Sequence, residues 1–523
     1  MSLPKPDKFP EDGRGALSGN IRIVRERFAI RKNIGLNLSD LPAPDRQAVV
    51  DFFAEVDRHL LLPKKQKRAM LDDFAKALSF YARAGVPVAE ALRRMDPKKL
   101  GGFYARPPAA WFPLDSAAKI YPLSMQRHAM SVFRLSVYFK EDVVPELLQM
   151  ALTFTIKRFP SFATTVKNGV FWHYLDASKR RYDVEPETER PCAPIPVWGS
   201  GSQSFRVLYH QNRMSVEFFH ILTDGAGGLR FISTLAAEYL RLLGHDIPCS
   251  ENILDIGETP SAEETENGFE LAEPTEKASG FADGPAVQMG GALSFLKPCQ
   301  VIHFELDAGR LLAAARRKNA SVTAFLLSLI FVATRHATDE QRGSIHIQVP
   351  VNLRKYYGSK TVRNFSLYCS VKLPIHKITG PDAILPDIAD QLARKTARQP
   401  MNEMMNAANA LVRNLQFVPL FVKRPVARIV YGFLGDKVFS NTLSNLGVVS
   451  FPAEMAAHVE KLDFVLGTSV TNRAACSAVT FQNRTVLAVT KLTADSSFEE
   501  KLFELLSAEG LEPEVYGSGR YED

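Results

Sequence analysis

Residues 214–243, MSVEFFHILTDGAGGLRFISTLAAEYLRLL, contain the one His-x-x-x-Asp-Gly pattern of the chain, formed by His220, Asp224 and Gly225. Apolar and polar residues alternate up to His220, which predicts a β-strand with the histidine at its end. The glycine-rich DGAGG segment predicts a sharp turn, and apolar residues at helical spacing then predict a helix with one buried face. A histidine held between a strand and a core-packed helix has the rigid placement that a general base requires.

Three motifs occur in the same order as in one known group of enzymes: WFPLD at 111–115, RFPSF at 158–162 and HILTDG at 220–225. With them the chain resembles the alcohol O-acetyltransferase branch of the acyltransferase superfamily that includes chloramphenicol acetyltransferase, the plant BAHD enzymes and condensation domains. The resemblance extends from about residue 111 to the C-terminus. Phe219 occupies the position at which many members carry the first of two histidines. This departure disfavours the wax-ester-synthase and condensation-domain branches.

The resemblance implies an α/β fold with two chloramphenicol-acetyltransferase-like lobes, built of mixed sheets with flanking helices, around a tunnel. It also implies an acyltransferase that moves an acyl group from acyl-CoA to a small hydroxyl or amine acceptor. His220 would be the general base, and Asp224 would point away from the substrate. An arginine after a buried strand pairs with that aspartate in the superfamily, which here predicts Arg354 as the partner of Asp224. An exposed basic loop is the alternative reading for Arg354.

A second candidate block is FSNTLSNLGVVSF at residues 439–451. SNLG segments line the active site in the family, which by resemblance places Thr442, Ser444 and Asn445 along the substrate path. A hydroxyl or an N–H there would suit stabilisation of a tetrahedral oxyanion. The alternative is a strand-end turn in which Asn445 and Gly447 serve the backbone geometry.

Composition excludes several other classes of function. The chain has 523 residues, 46% of them hydrophobic, and a net charge of +7 that is spread without an arginine-rich block. That pattern argues against nucleic acid as a partner and suits an anionic small ligand such as a phosphorylated cofactor. The resemblance implies acyl-CoA as a co-substrate, with no cofactor bound. Five widely spaced cysteines without a CxxC pair predict a reducing compartment and no zinc site. Neither GxSxG nor GxGxxG occurs in a suitable context, and no metal site is expected.

We expect a cytoplasmic protein, because the N-terminus shows no apolar signal-peptide run and the most apolar window, residues 322–334, is too short for a transmembrane helix. We also expect a monomer. Residues 411–434 mix apolar and basic residues. They predict core helices with basic edges, and the same pattern suits an acyl channel or a peripheral membrane contact.

Four segments are predicted: a basic, helical N-terminal extension (1–108), a first lobe (109–249), an acidic crossover linker (250–295) and a second lobe (296–523). The linker is crowded with glutamates and poor in large apolar residues, so a solvated, partly disordered segment is expected. Two alternatives to a CoA-dependent enzyme stay open. One is a carrier-protein-dependent condensation or release enzyme, and the other is a non-catalytic member that acts as a regulatory or scaffold protein.

Overall fold

The computed structural model describes residues 41–517, apart from 106–110, 120, 125–129, 179, 199–201, 277–283, 295–299, 424, 426–437 and 469–472. Three helices open the described chain: α1 (Ala43–His59), α2 (Lys64–Arg83) and α3 (Val88–Arg94). Each begins directly after a proline, whose fixed φ suits the entry to a helix. A 3₁₀ turn follows at Pro97–Leu100. The described part of residues 1–108 is therefore mainly helical, and the division at residue 108 stays a prediction.

The extension packs onto the first half of the molecule and shares its hydrophobic core. The hydroxyl of Tyr81 donates to the carbonyl of Leu242 at 2.6 Å, and the ammonium of Lys99 pairs with Glu238 at 2.7 Å. Both partners lie on the helix that follows the His-x-x-x-Asp-Gly pattern. The extension thus helps to fix the helix that positions the candidate site.

The described part of the first half contains two sheets and three α-helices. The elements are β1 (Trp111–Pro113), α4 (Tyr121–Ser124), β2 (Val132–Phe139), α5 (Pro145–Thr155) with a 3₁₀ turn at Ile156–Arg158, β3 (Thr164–Asn168), β4 (His173–Ala177), β5 (Val184–Pro186), β6 (Phe205–His210), β7 (Arg213–Phe219) and α6 (Gly225–Leu243). The smaller sheet has the order β1-β4-β3, and the larger sheet contains β2, β7, β6 and β5 in that order.

The second half is built on a seven-stranded mixed sheet with a separate hydrophobic core. Between the halves lie α7 (Ala262–Thr265) and a 3₁₀ turn at Gly268–Leu271. The elements that follow are β8 (Gln300–Asp307), α8 (Ala308–Arg317), α9 (Val322–His336), β9 (Ser344–Asn352), α10 (Arg354–Tyr357), β10 (Ser366–Pro374), a 3₁₀ turn at Ile375–Lys377, α11 (Pro381–Lys395), α12 (Arg398–Asn414), β11 (Asn441–Val449), α13 (Ala453–Ala456), β12 (Val459–Leu466), β13 (Ala474–Phe481), β14 (Arg484–Lys491), α14 (Ser497–Ala508) and β15 (Glu514–Gly517).

One strand of the second half belongs to the larger sheet of the first half. The large sheet has the order β10-β9-β11-β13-β14-β8-β15, but β12 leaves it and pairs antiparallel with β2 in the first half. Leu462 opposite Val137 and Phe464 opposite Leu135 fix the register. This pairing links the two sheets directly, which the predicted division at residue 296 did not include.

The linker is packed in the part that the structure describes, which differs from the expected solvated segment. Phe269 is fully buried and its ring meets Phe365 edge-on at 5.8 Å. Glu264 accepts from the buried guanidinium of Arg158, and Thr361 donates to the main-chain carbonyl of Glu266 at 2.9 Å. The segment thus forms hydrogen bonds with both halves, through the Glu264 side chain to a basic residue of the first and through the main chain of Glu266 to a hydroxyl of the second.

The predicted mixed α/β class is confirmed, and the expected strands and helices appear with end points shifted by a few residues. Of the predicted run 411–434, residues 424 and 426–434 lie outside the described residues. Among the described helices, none combines the length and apolarity that crossing a membrane requires.

Candidate active site

Strand, turn and helix hold His220 and Asp224 as one unit. Strand β7 lies between β2 and β6, and directly after it the main-chain N–H of His220 donates to the carbonyl of Ser131 at 2.8 Å. Asp224 caps α6, its Oδ1 accepting from the amide of Gly227 at 3.1 Å. A Cβ at Gly227 would collide with the carbonyl oxygen of Val362, so the turn packs against the second half only without a side chain there.

Arg354 lies directly behind this turn, in contact with Asp224. Its Nη1 donates to Asp224 Oδ2 at 2.8 Å, and the amide of Phe365 donates to the same oxygen at 2.7 Å. The guanidinium also donates to the carbonyls of Thr361 at 2.8 Å and Arg363 at 2.5 Å. Both Asp224 and Arg354 are buried. Each charged group is therefore matched by hydrogen bonds, as a buried ion pair requires.

The charge state of Asp224 follows from these contacts. Burial alone would raise the pKa of this carboxyl, but the charge and hydrogen bond of Arg354 and the amides of Phe365 and Gly227 outweigh burial and hold the pKa below its ordinary value. Asp224 is an anion at neutral pH, and both its oxygens face the turn and the second half. It serves to hold the turn rather than to take a proton.

Asn364 fixes the imidazole of His220. Its Nδ2 donates to the carbonyl of His220 at 2.6 Å, which sets the orientation of the amide. Its Oδ1 then faces Nδ1 of His220 at 2.9 Å. Since an amide oxygen only accepts, Nδ1 must carry the hydrogen. The neutral ring consequently has its lone pair on Nε2.

Aromatic rings enclose the same imidazole. Tyr121 stacks on it with centroids 4.9 Å apart and planes 23° from parallel, and Phe133 meets it edge-on at 5.2 Å. Burial lowers the pKa of His220 below its ordinary value, although the Asp224 carboxylate acts in the opposite direction. The ring is nonetheless partly exposed. A neutral, oriented and accessible imidazole is able to accept a proton at Nε2.

The second candidate block lies on β11, and its side chains already have partners in the second half. Thr442 donates to Gln348 Oε1 at 3.2 Å, and the Asn445 amide donates to Thr323 at 3.1 Å and accepts from Gly447 at 2.8 Å. Ser444 is buried. Strand β11 approaches the candidate site at Leu446, since a Cβ at Gly225 would lie 2.7 Å from a methyl group of Leu446.

The structure thus brings His220, Asp224, Gly225 and Arg354 together, while the contacts of Thr442 and Asn445 point into the second half. Asn364 and Tyr121 were not identified from the sequence. Asn364 follows Arg363 in a stretch rich in basic residues. Nothing in its local sequence indicates a partner 144 residues away.

No protein-family model and no curated protein matches the chain. Among solved structures, the fold is similar to TRI101 of Fusarium sporotrichioides in complex with coenzyme A and T-2, with a TM-score of 0.53, 11% identity, and coverage of 78% of this chain and 100% of that one. It is also similar to the first condensation domain of the calcium-dependent antibiotic synthetase, with a TM-score of 0.54, 13% identity, and coverage of 77% and 96%.

The chain has the fold of the chloramphenicol-acetyltransferase-like acyltransferase superfamily. The resemblance seen in the motifs is confirmed at the level of the fold, while membership of the superfamily and of its alcohol acetyltransferase branch stays a prediction. The first of these structures is a complex with coenzyme A and T-2, and the second is a complex with a substrate analogue. At 11–13% identity the likeness establishes the fold alone.

Proposed function

We propose that the chain is an acyltransferase that moves an acyl group from acyl-CoA to a hydroxyl or amine acceptor, with His220 as general base. The observation that carries the proposal is the pair of bonds between Asn364 and His220, which leaves Nε2 as the basic nitrogen. The buried contact between Arg354 and Asp224 supports it, because that contact fixes the turn that carries the imidazole.

In the proposed reaction, Nε2 of His220 takes the proton of the acceptor hydroxyl as its oxygen attacks the thioester carbonyl carbon. The carbonyl electron pair moves onto oxygen and gives a tetrahedral oxyanion. When the oxyanion collapses, the carbon–sulfur bond breaks, and the imidazolium returns its proton to the departing thiolate. His220 ends as it began, and the products are an ester and free CoA. We keep Ser444 and the main chain of β11 as the proposed oxyanion stabilisers.

The first test is a His220→Ala variant measured for thiol release from acyl-CoAs of several lengths with a pool of alcohols and amines. Loss of a general base lowers the rate by about 10²–10⁴-fold, so kcat should fall by that amount while the thermal unfolding curve stays unchanged. His210→Ala, which removes a histidine from the same hairpin, is the control and should keep wild-type turnover. Wild-type thiol release by the His220→Ala protein would contradict the mechanism.

A carrier protein is the second candidate donor, because the TM-score of 0.54 to the condensation domain is about the same as the TM-score of 0.53 to TRI101. Competition separates the two. An acyl group presented on a phosphopantetheine carrier should lose to the same group on CoA in equimolar mixtures. If the carrier-bound acyl group were consumed preferentially, the donor would be a carrier protein instead of CoA, and the proposed role of His220 would not change.

A further inference from the structure

Two lysines meet on one indole ring beside the candidate active site. Lys423 Nζ lies 3.3 Å from the centroid of the Trp172 ring, and Lys119 Nζ lies 5.6 Å from the same centroid. Lys423 also donates to the carbonyl of Phe171 at 2.7 Å. The cluster therefore joins three separate stretches of the chain: the segment after β1, the hairpin between β3 and β4, and the segment after α12. We call Lys119 and Lys423 the lysine pair.

Lys423 is only 4% exposed, yet neither lysine forms an ion pair with a carboxylate in the part of the chain that the structure describes. The charges of Asp115 and Glu270 act on Lys119, but both carboxylates have other partners: Asp115 accepts from the amide of Ala118 at 2.7 Å and faces Arg363 at 3.8 Å, and Glu270 accepts from Asn267 at 3.1 Å. Burial, followed by the charge of Lys119, lowers the pKa of Lys423 to about 8. A buried cation beside a second cation is unfavourable until an anion joins them.

Tyr121 connects the lysine pair to the proposed base along the chain. Lys119 precedes Tyr121 by two residues, and the ring of Tyr121 stacks on His220 with centroids 4.9 Å apart. Two residues span at most about 7 Å of backbone, so the backbone of Lys119 lies within about 7 Å of the backbone of a residue that contacts His220.

An exposed apolar rim surrounds the lysine pair. Val170 and Phe171 at the β3–β4 hairpin face the segment after α12, where the amide of Leu420 donates to the carbonyl of Val170 at 2.9 Å. Phe417 meets Phe171 edge-on at 6.3 Å. Phe417 and Phe421 are 77% and 78% exposed. Large aromatic side chains exposed together mark a surface that binds apolar groups.

We propose that the lysine pair binds an anionic group, a carboxylate or a phosphate, on an amphipathic acceptor whose apolar part lies along this rim. The identity of the bound molecule as the acceptor rests on the proposed function, but the binding of the anion does not. The ligand supplies a countercharge for Lys423, which forms no ion pair with a carboxylate among the described residues, and the acceptor's hydroxyl or amine then lies toward His220.

The test is calorimetric titration of the full chain with octyl phosphate and with octanol, both below their micellar concentrations. Charge-assisted hydrogen bonds to two ammonium groups favour the phosphate by about tenfold or more in Kd. The Lys119→Gln/Lys423→Gln protein should bind the two probes alike. Lys167→Gln, which removes a lysine from the neighbouring strand β3, should keep the preference, as should His220→Ala. A double variant that still prefers octyl phosphate would overturn the proposal.

Two further arms separate the sources of the anion. CoA and pantetheine are titrated into the same proteins, and the CoA preference should not change in the double variant; its loss there would assign the lysines to the donor instead. Co-sedimentation with phosphatidylcholine vesicles, with and without phosphatidylserine, is the other arm. Lysine-dependent binding to the anionic vesicles without binding of monomeric octyl phosphate would make the surface a membrane contact and overturn the acceptor assignment.

A spectroscopic readout keeps the proposal testable if the double variant does not fold. The single variant Lys119→Gln alters the more exposed member and should itself lower the octyl phosphate affinity. In the wild-type protein, ¹³C-methylated Lys423 should titrate near its depressed pKa of about 8 and at higher pH once octyl phosphate is bound. An unchanged titration at saturating octyl phosphate would exclude contact between Lys423 and the phosphate.

Discussion

Behind the catalytic turn and at the rim of the same site, the protein buries charge in two different ways. Arg354 and Asp224 are both buried, and their charged groups meet each other and nearby main-chain groups. At the rim, Lys423 is as buried, but its ammonium has a carbonyl and an indole ring instead of a carboxylate. The first arrangement is complete within the chain, whereas in the second no carboxylate among the described residues pairs with the cation, and we propose that a ligand balances it.

The contrast separates a structural charge from a binding charge. A satisfied ion pair holds one geometry, and its removal leaves the partner uncompensated in a medium that solvates it poorly. An unbalanced cation contributes little to folding, because its own desolvation offsets its contacts. Stability and ligand affinity should therefore respond in opposite ways at the two places.

The largest stability effect is expected for Arg354→Met. The substitution leaves the Asp224 carboxylate buried without its cation, and loss of one partner of a buried pair costs about 3–5 kcal/mol of unfolding free energy. Equilibrium denaturation measures it. Adding Asp224→Asn to this variant should recover part of the loss. Arg398→Met, which breaks the exposed pair with Glu273, is the control and should cost less than about 1 kcal/mol. If Arg354→Met and Arg398→Met lowered the unfolding free energy equally, the buried pair would be no more important for stability than the exposed one.

Asn364→Asp tests the site between these two places. A carboxylate opposite Nδ1 stabilises the imidazolium and raises the pKa of His220, whereas burial in the wild type lowers that pKa below 6.5. A nearby opposite charge shifts a pKa by about 1–3 units, so the acid limb of the kcat/KM profile should move to higher pH by about one unit or more. As the pH is lowered, the variant then loses activity at a higher pH than the wild type does, and its activity is recovered at alkaline pH.

The surface change Asn319→Asp adds the same charge on an exposed loop and is the matched control for this pH profile. Ring ¹⁵N chemical shifts of His220 give an independent reading, since they report the hydrogen on Nδ1 in the wild type. An acid limb that stays in place, together with a ring hydrogen on Nε2, would show that Asn364 does not orient the base.

The sequence predicted those parts of the site that depend on local order. The strand before His220, the turn and the helix follow from alternation, glycine content and helical spacing over thirty residues. The partner of Asp224 came from family resemblance alone, because Arg354 lies 130 residues further along the chain. Pairing of β12 with β2 and the contact of Asn364 with His220 depend on long-range packing, for which polarity and propensity carry no signal.

The linker shows the same limit from the other side. Its glutamates indicated a solvated segment, yet Glu264 accepts from Arg158 and Phe269 fills a buried position. Composition reports average solvation, whereas one buried ring and a few matched charges are enough to dock a segment. The sequence did not predict the lysine pair either, since Lys119 and Lys423 are 304 positions apart.

The smallest stability effect is expected for Lys423→Met, which removes the ammonium and keeps a side chain of similar length. The lost cation–π contact and hydrogen bond are each worth about 1 kcal/mol, and the relieved burial of charge offsets them. The unfolding free energy should change by less than about 1 kcal/mol in either direction. Lys491→Met is the matched comparison, because Lys491 is 1% exposed but contacts the carboxylate of Glu499, and its loss leaves that carboxylate without its cation. If Lys423→Met destabilised the protein as much as Lys491→Met, Lys423 would be a structural residue and the rim would hold no charge for a ligand.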